Sequence, residues 1–189
     1  MMKTQWVTEA IDYDGSQLRA HWLLDRFGLV GDALAGFRGA CAVADEEMAD
    51  LEDLDGPGIR GDDMVHFIWE CFSDRDLLLA THRQRLFAAQ AQEQLRTQCA
   101  AVDLERIGDD LFVGGAKLSV SIATVTPVSS IIHFAVNARA SGAPVAVVSL
   151  EQLGADPAEF GEGMLRRVAA EQDSIELARA KVRAKGEWR

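Results

Sequence analysis

Between Lys117 and Asn137 the chain carries two runs in which apolar and polar positions alternate at period two, separated by a turn at Pro127. In the first, Lys117, Ser119, Ser121 and Ala123 share one face, and Leu118, Val120, Ile122 and Thr124 the other. In the second, Ile131, His133, Ala135 and Asn137 share one side and Ser130, Ile132, Phe134 and Val136 the other. Upstream, the stretch from Gly108 reads as strand, glycine turn and strand, with Gly114-Gly115 reversing the chain between apolar flanks. If these strands pair with their apolar faces on a core, a lysine, two serines, a histidine and an asparagine line one small polar surface. The same alternation also describes a sheet face open to water, so the pattern leaves both readings standing.

The rest of the chain reads as helices and strands around this segment. Trp6 to Leu18 is expected to be extended and then to turn at Asp14-Gly15-Ser16. Ser16 is a candidate cap for a helix through His21 to Leu24 that Gly28 and Gly31 end. Ala33 to Val43 reads as a strand in which Gly36 and Gly39 leave room for something to approach the backbone. The acidic block from Asp45 to Asp55 reads as solvated surface, or as a source of one or two carboxylates for Mg²⁺. Met64 to Phe72 has the apolar density of a buried helix, capped by Asp62 or Asp63. There His66 and Glu70, four apart, would share a face as a hydrogen-bonded pair or two metal ligands. Leu77 to Cys99 reads as a long helix with Leu78, Leu79, His82, Leu86, Phe87 and Leu95 recurring at helical spacing. Val102 to Arg106 and Val145 to Leu150 read as strands. Phe160 to Lys185 reads as a helix with Leu165, Val168, Ile175, Leu177, Ala178 and Val182 inward.

Composition narrows the function classes. The 189 residues suit one substantial domain, residues 1–189, and no repeat or linker divides them. A formal net charge of -11 argues against a nucleic-acid backbone as partner, since that needs clustered lysine and arginine. Cys41, Cys71 and Cys99 are odd in number and far apart, which fits a reducing cytoplasm and neither a disulfide framework nor a metal knuckle. No stretch reaches membrane-spanning length without charge, so a cytoplasmic protein with no membrane partner is expected.

Asp110-Leu111, Gly114 to Ile122 and His133 to Asn137 resemble the core segment of biotin and lipoate protein ligases, in which a strand carries an essential lysine. More closely, the chain resembles the domain-of-unknown-function 366 family, similar in fold to the biotin/lipoate ligase catalytic domain. Tyr13 to Leu18, Phe37-Arg38-Gly39, Met64 to Phe67, Arg83 to Leu86 and the Lys117 strand carry that likeness. The resemblance implies an α/β (α+β) fold, a mixed and mainly antiparallel sheet covered by helices. It implies Lys117 as the catalytic residue, with Arg38, Gly39, Ser119, Ser121, His133 and Asn137 binding substrate. ATP and Mg²⁺ are then possible cofactors, and a small carboxylic acid or a nucleotide the ligand. Of the glycine- and arginine-rich segment that wraps the acyl-adenylate in those ligases, only Arg38-Gly39 is recognisable. Three further readings remain: an ATP-free acyl transferase using Cys41, a non-catalytic binding module that kept the fold, and a homodimer paired through a sheet edge.

Overall fold

The computed structural model describes residues 2–99, 102–183 and 186. Strands β1 (Lys3–Trp6), β2 (Ala33–Ala42) and β3 (Arg60–Cys71) precede the long helix α2 (Leu77–Gln98), with the short helix α1 (Trp22–Phe27) between β1 and β2. β4 (Leu104–Ile107), β5 (Asp110–Val113), β6 (Ala116–Lys117), β7 (Ser119–Val125) and β8 (Ser130–Asn137) follow, then α3 (Leu150–Leu153) and α4 (Pro157–Lys181). The main sheet has the order β1-β2-β3-β8-β7, and β4-β5-β6 forms a smaller one. β1 runs parallel to β2 and the other pairings are antiparallel, so the sheet is mixed and mainly antiparallel.

Both faces of the main sheet are covered. On one side Val65, Phe67 and Trp69 of β3 and Ile132, Phe134 and Val136 of β8 meet Phe87, Ala88, Ala91 and Leu95 of α2 and Phe160, Met164, Leu165 and Val168 of α4. On the other, Ala33, Ala35 and Phe37 of β2, Ile68 of β3 and Ile131 and Ala135 of β8 meet Val7, Tyr13 and Leu23 from the N-terminal segment. β8 is therefore buried on both sides along its whole length, and no face of it is solvated.

That double burial explains the largest departure from the sequence reading. The segment expected as a helix over Met64–Phe72 is the central strand β3, with odd positions in one core and Met64 and Ile68 in the other. A strand buried on both faces reads as a continuous apolar run, which periodicity cannot tell from a buried helix. His66 and Glu70 share a sheet face but not a bond: Glu70 accepts from the His21 backbone N–H and the Ser129 hydroxyl. Asp63 caps nothing; it receives the Arg38 guanidinium. Val145–Leu150 is not a strand but a connection with one bridge, Val147 to Lys117, ending in a Ser149/Gln152 capping box that opens α3. Ser16 caps nothing either, since its hydroxyl donates to Asp14, and α1 starts after His21 in a left-handed conformation.

Both long helices exist, and Phe87, Leu95, Leu165 and Val168 face inward as read, but the other positions read from leucine spacing do not. α2 buries Ala80, Gln84, Phe87, Ala88, Ala91 and Leu95 and leaves Leu77, Leu78 and Leu79 exposed. α4 begins at Pro157 behind an Asp156 cap, and Ile175, Leu177, Ala178 and Val182 are exposed where it runs past the sheet. Residues 184 and 185 of the expected helix lie outside the described residues.

Candidate functional site

The tight turn at Gly114 and Gly115, both at positive φ, pairs Val113 with Ala116 and Phe112 with Lys117. The chain then leaves the small sheet and joins the large one, and the alternation breaks at that step. Leu118 packs in the helix-side core, and Ser119, the next residue, also turns that way and accepts a hydrogen bond from the Leu111 N–H at 2.9 Å. From there β7 continues in the new phase. Ser119 lies opposite Val136 and Ser121 opposite Phe134, while Val120 and Ile122 lie opposite Ala135 and His133. Ser119 and Ser121 still border the cavity described below, but both hydroxyl oxygens are engaged within the protein. The Ser121 hydroxyl donates to Asp109 and accepts from the Gln84 amide, each at 2.8 Å.

Lys117 sits at the hinge of this step and is held through its backbone from several directions. Its N–H donates to the Ala146 carbonyl, and its carbonyl accepts from the Val148 N–H, each at 3.0 Å. The Asn137 side-chain amide adds bonds to the carbonyls of Lys117 at 3.2 Å and Val148 at 3.1 Å. The Lys117 ammonium meets the Asp110 carboxylate at 2.8 Å. Burial raises the Asp110 pKa, and the bond from Lys117 opposes that shift.

A cavity of about 430 Å³ opens over this end of the sheet, bordered by Lys117, Asp110, Asn137, His133, Tyr13 and Met64. His133 borders it, and behind His133 the His66 ring lies 3.1 Å away, nitrogen to nitrogen, with the far nitrogen of His66 3.2 Å from the Gly39 carbonyl. Tyr13 stacks on His133 with ring centroids 3.7 Å apart. Burial pushes the His66 pKa down to about 4, and burial followed by the neighbouring His66 pushes His133 well below the usual range, so both rings are neutral. Burial raises the Tyr13 hydroxyl as well.

The lid of the cavity is acidic. Glu47, Asp50, Glu52 and Asp53 of the connection between β2 and β3 border it, and residues 43–59 contain no lysine or arginine. Burial and the charge of Asp50 raise the Asp53 pKa. Among the described residues no group of three or more His, Cys, Asp and Glu side chains converges to hold a metal ion. Those residues also include no helix long and apolar enough to cross a membrane.

The structure thus brings Lys117, His133 and Asn137 to one cavity and takes Arg38 and Gly39 elsewhere. Arg38 lies opposite Val65, on the helix side of the sheet, and its guanidinium is engaged by both Asp63 oxygens. Gly39 does leave room for a close approach, but the chain itself fills it: a Cβ there would collide with the Ile11 carbonyl. Cys41 is buried, and burial pushes its thiol up to about 12, which disfavours the thiolate that acyl transfer through it would need. The acidic block was open in the sequence to a place at the site, and Glu47, Asp50, Glu52 and Asp53 of it do border the cavity, whereas the pairing of His66 with His133 was not readable there. Residues 66 and 133 meet only through the register that sets Ile68 opposite His133.

Residues 2–183 match the family described as Domain of unknown function (DUF366). An uncharacterized protein of Methanocaldococcus jannaschii is 34% identical over 159 residues, 81% of this chain and 71% of its own length. A solved protein of unknown function from Pyrococcus horikoshi is 44% identical, with a TM-score of 0.93 over 97% of this chain and 99% of that one. The biotin protein ligase of Aquifex aeolicus, solved with biotin and ATP, is similar in fold alone. Its TM-score is 0.61 at 13% identity, over 93% of this chain and 72% of that one. By its match over nearly the whole length, this chain belongs to the DUF366 family and has a biotin-ligase-like fold.

Proposed function

We propose that the chain takes up a small carboxylic acid or acyl group in the cavity beside β7 and β8, with Lys117 holding the negative charge, and serves acid binding or acyl transfer. The observation that carries this reading is the Lys117 ammonium bordering the cavity, with its backbone clamped by Ala146, Val148 and Asn137. A fixed ammonium in a partly dry cleft stabilises a carboxylate or the oxyanion of an acyl intermediate more than it would in water. Asp110 holds the side chain in place until a ligand carboxylate shares it.

ATP, present with biotin in the Aquifex aeolicus ligase structure, does not fit the residues of this chain. Arg38 is committed to Asp63, Gly39 is covered by Ile11, and the lid that would wrap a polyphosphate is acidic. These three features favour an acid-binding or transfer protein over an adenylate-forming ligase.

The test is a thermal-shift and calorimetry panel with biotin, lipoate, octanoate, smaller carboxylic acids and ATP–Mg²⁺. It is run on the unaltered chain and on the Lys117→Met/Asp110→Asn double variant, which avoids stranding the half-buried Asp110 carboxylate. An acid at about a hundred times its Kd adds roughly 2.7 kcal/mol, or roughly 5–10 °C for a chain of this size. A shift with an acid that the double variant loses supports the reading. An equal shift in both proteins, or none with any acid, sinks it, and a Lys117-dependent shift with ATP–Mg²⁺ alone would put the ligase reading in its place.

A further inference from the structure

The polar atoms left for a ligand are set by bonds the protein makes to itself. A carbonyl oxygen only accepts, so the His66 nitrogen facing Gly39 carries the ring proton and the other accepts. The nitrogen of His133 facing that acceptor must then be Nε2–H, and His133 Nδ1 is left as a bare lone pair. Among the described residues nothing donates to it, although His133 is 3% exposed and borders the cavity. The same logic orients Asn137. Its Nδ2 donates to the Lys117 and Val148 carbonyls, so the side-chain atom left free is the oxygen, which accepts.

The geometry points to a ligand that carries N–H or O–H donors as well as a carboxylate, with His133 Nδ1 as the specificity-determining acceptor and Asn137 Oδ1 as a second one. This rests on the proposed uptake of a carboxylic acid beside Lys117 and names the class of acid. A plain acyl chain would leave both acceptors desolvated and unpaired, whereas a nitrogen heterocycle or a hydroxylated acid would satisfy at least one. Neither acceptor can turn into a donor, because the carbonyls of Gly39, Lys117 and Val148 demand a donor from the other end of each side chain. The neutral state that burial imposes on the two histidines keeps the lone pair in place. The acidic lid agrees with a ligand rich in donors.

The experiment compares acids that differ only in a ring atom: pyrrole-2-carboxylate against furan-2-carboxylate, and indole-3-propionate against benzofuran-3-propionate. A site built to receive a donor discriminates strongly against the isostere that lacks it. In at least one pair the N–H acid should bind about tenfold or more tightly, and in His133→Phe the difference within the pair should vanish. Because that variant also takes away the donor to His66, a second readout uses the unaltered protein. In nitrogen-15 spectra of histidine-labelled chain, His133 should be the Nε2–H tautomer, with its Nδ1 resonance moving when the tighter acid is added. Equal affinity within both pairs, with binding still dependent on Lys117, overturns the inference and leaves the proposed function standing. A Nδ1–H tautomer at His133 in the free protein overturns it too. Failure of all four acids to bind where octanoate binds in a Lys117-dependent way overturns the inference and leaves the proposed function standing, and failure of octanoate and the rest of the acid panel as well removes both.

Discussion

Among single residues, the neutral histidine pair has a consequence for stability. His66 and His133 titrate in the folded state below their unfolded value, His66 near 4, because burial disfavours the charged rings. Between the folded and unfolded pKa values the unfolded chain binds more protons, so stability falls as pH falls. The stability due to the pair is fully present above about pH 6.5, the unfolded value. It is lost as pH drops toward 4, with a slope approaching about 1.4 kcal/mol per pH unit for each ring. Denaturant melts between pH 7 and 5 check this. Asp53 and Asp110, whose values burial raises, work in the opposite direction and add stability as pH falls, so the effect of the histidines is read from the difference between the unaltered chain and a histidine variant. His133→Phe should make the decline shallower, and a pH-independent midpoint over that range would contradict two buried neutral rings. The sequence displayed each histidine but not the pair, because an antiparallel register is a property of two strands.

Among the secondary-structure elements, glycines mark where neighbours press against the sheet. The segment after β1 crosses β2 at Gly39, and a Cβ there would meet the Ile11 backbone, which cannot swing away as a flexible side chain can. Gly39→Ala should therefore cost about 2 kcal/mol and lower the thermal midpoint by roughly 4–8 °C. A change within about 1 °C would mean that the segment does not rest on β2 as described. Gly161 of α4 repeats the theme, with its missing Cβ filled by the Trp6 indole. Gly161→Ala sets a helix-propensity gain of up to about 1 kcal/mol against displacement of that ring. Loss of stability in this variant would show that packing wins. The hairpin around Gly114 and Gly115, the long helix α2 and the two strands flanking Pro127 were all legible as elements. β3 was not, since burial on both faces removes the polar alternation that identifies a strand.

Across the molecule as a whole, charge decides how a ligand reaches the cavity. The chain carries a formal charge of -11, and the cavity border includes six carboxylates, Glu47, Asp50, Glu52, Asp53, Asp109 and Asp110, against Lys117 and Arg60. An anionic acid is thus repelled on approach and attracted only at Lys117. Raising ionic strength shortens the screening length to about 10 Å at 0.1 M and should speed association. Asp50→Asn combined with Glu52→Gln and Asp53→Asn should act in the same direction, by about threefold or more in the association rate measured by stopped flow. A rate that falls with salt would show attraction on approach and contradict the acidic lid.

Local sequence was enough to set the class of fold and the residues at its centre. Turn chemistry and period-two alternation built the strands that hold Lys117, His133 and Asn137, and the words along those strands carried the family resemblance. Which of the candidates share a cavity was settled only when the strands came together. The phase break at Leu118 and Ser119 arises where one strand passes between two sheets, and it turned both serines from the histidine side. The register of β2 on β3 placed Arg38 on the far face beside Asp63. In a sheet one residue of register exchanges the two faces, and that choice is made by pairing energies summed over whole strands, which no single stretch of sequence contains.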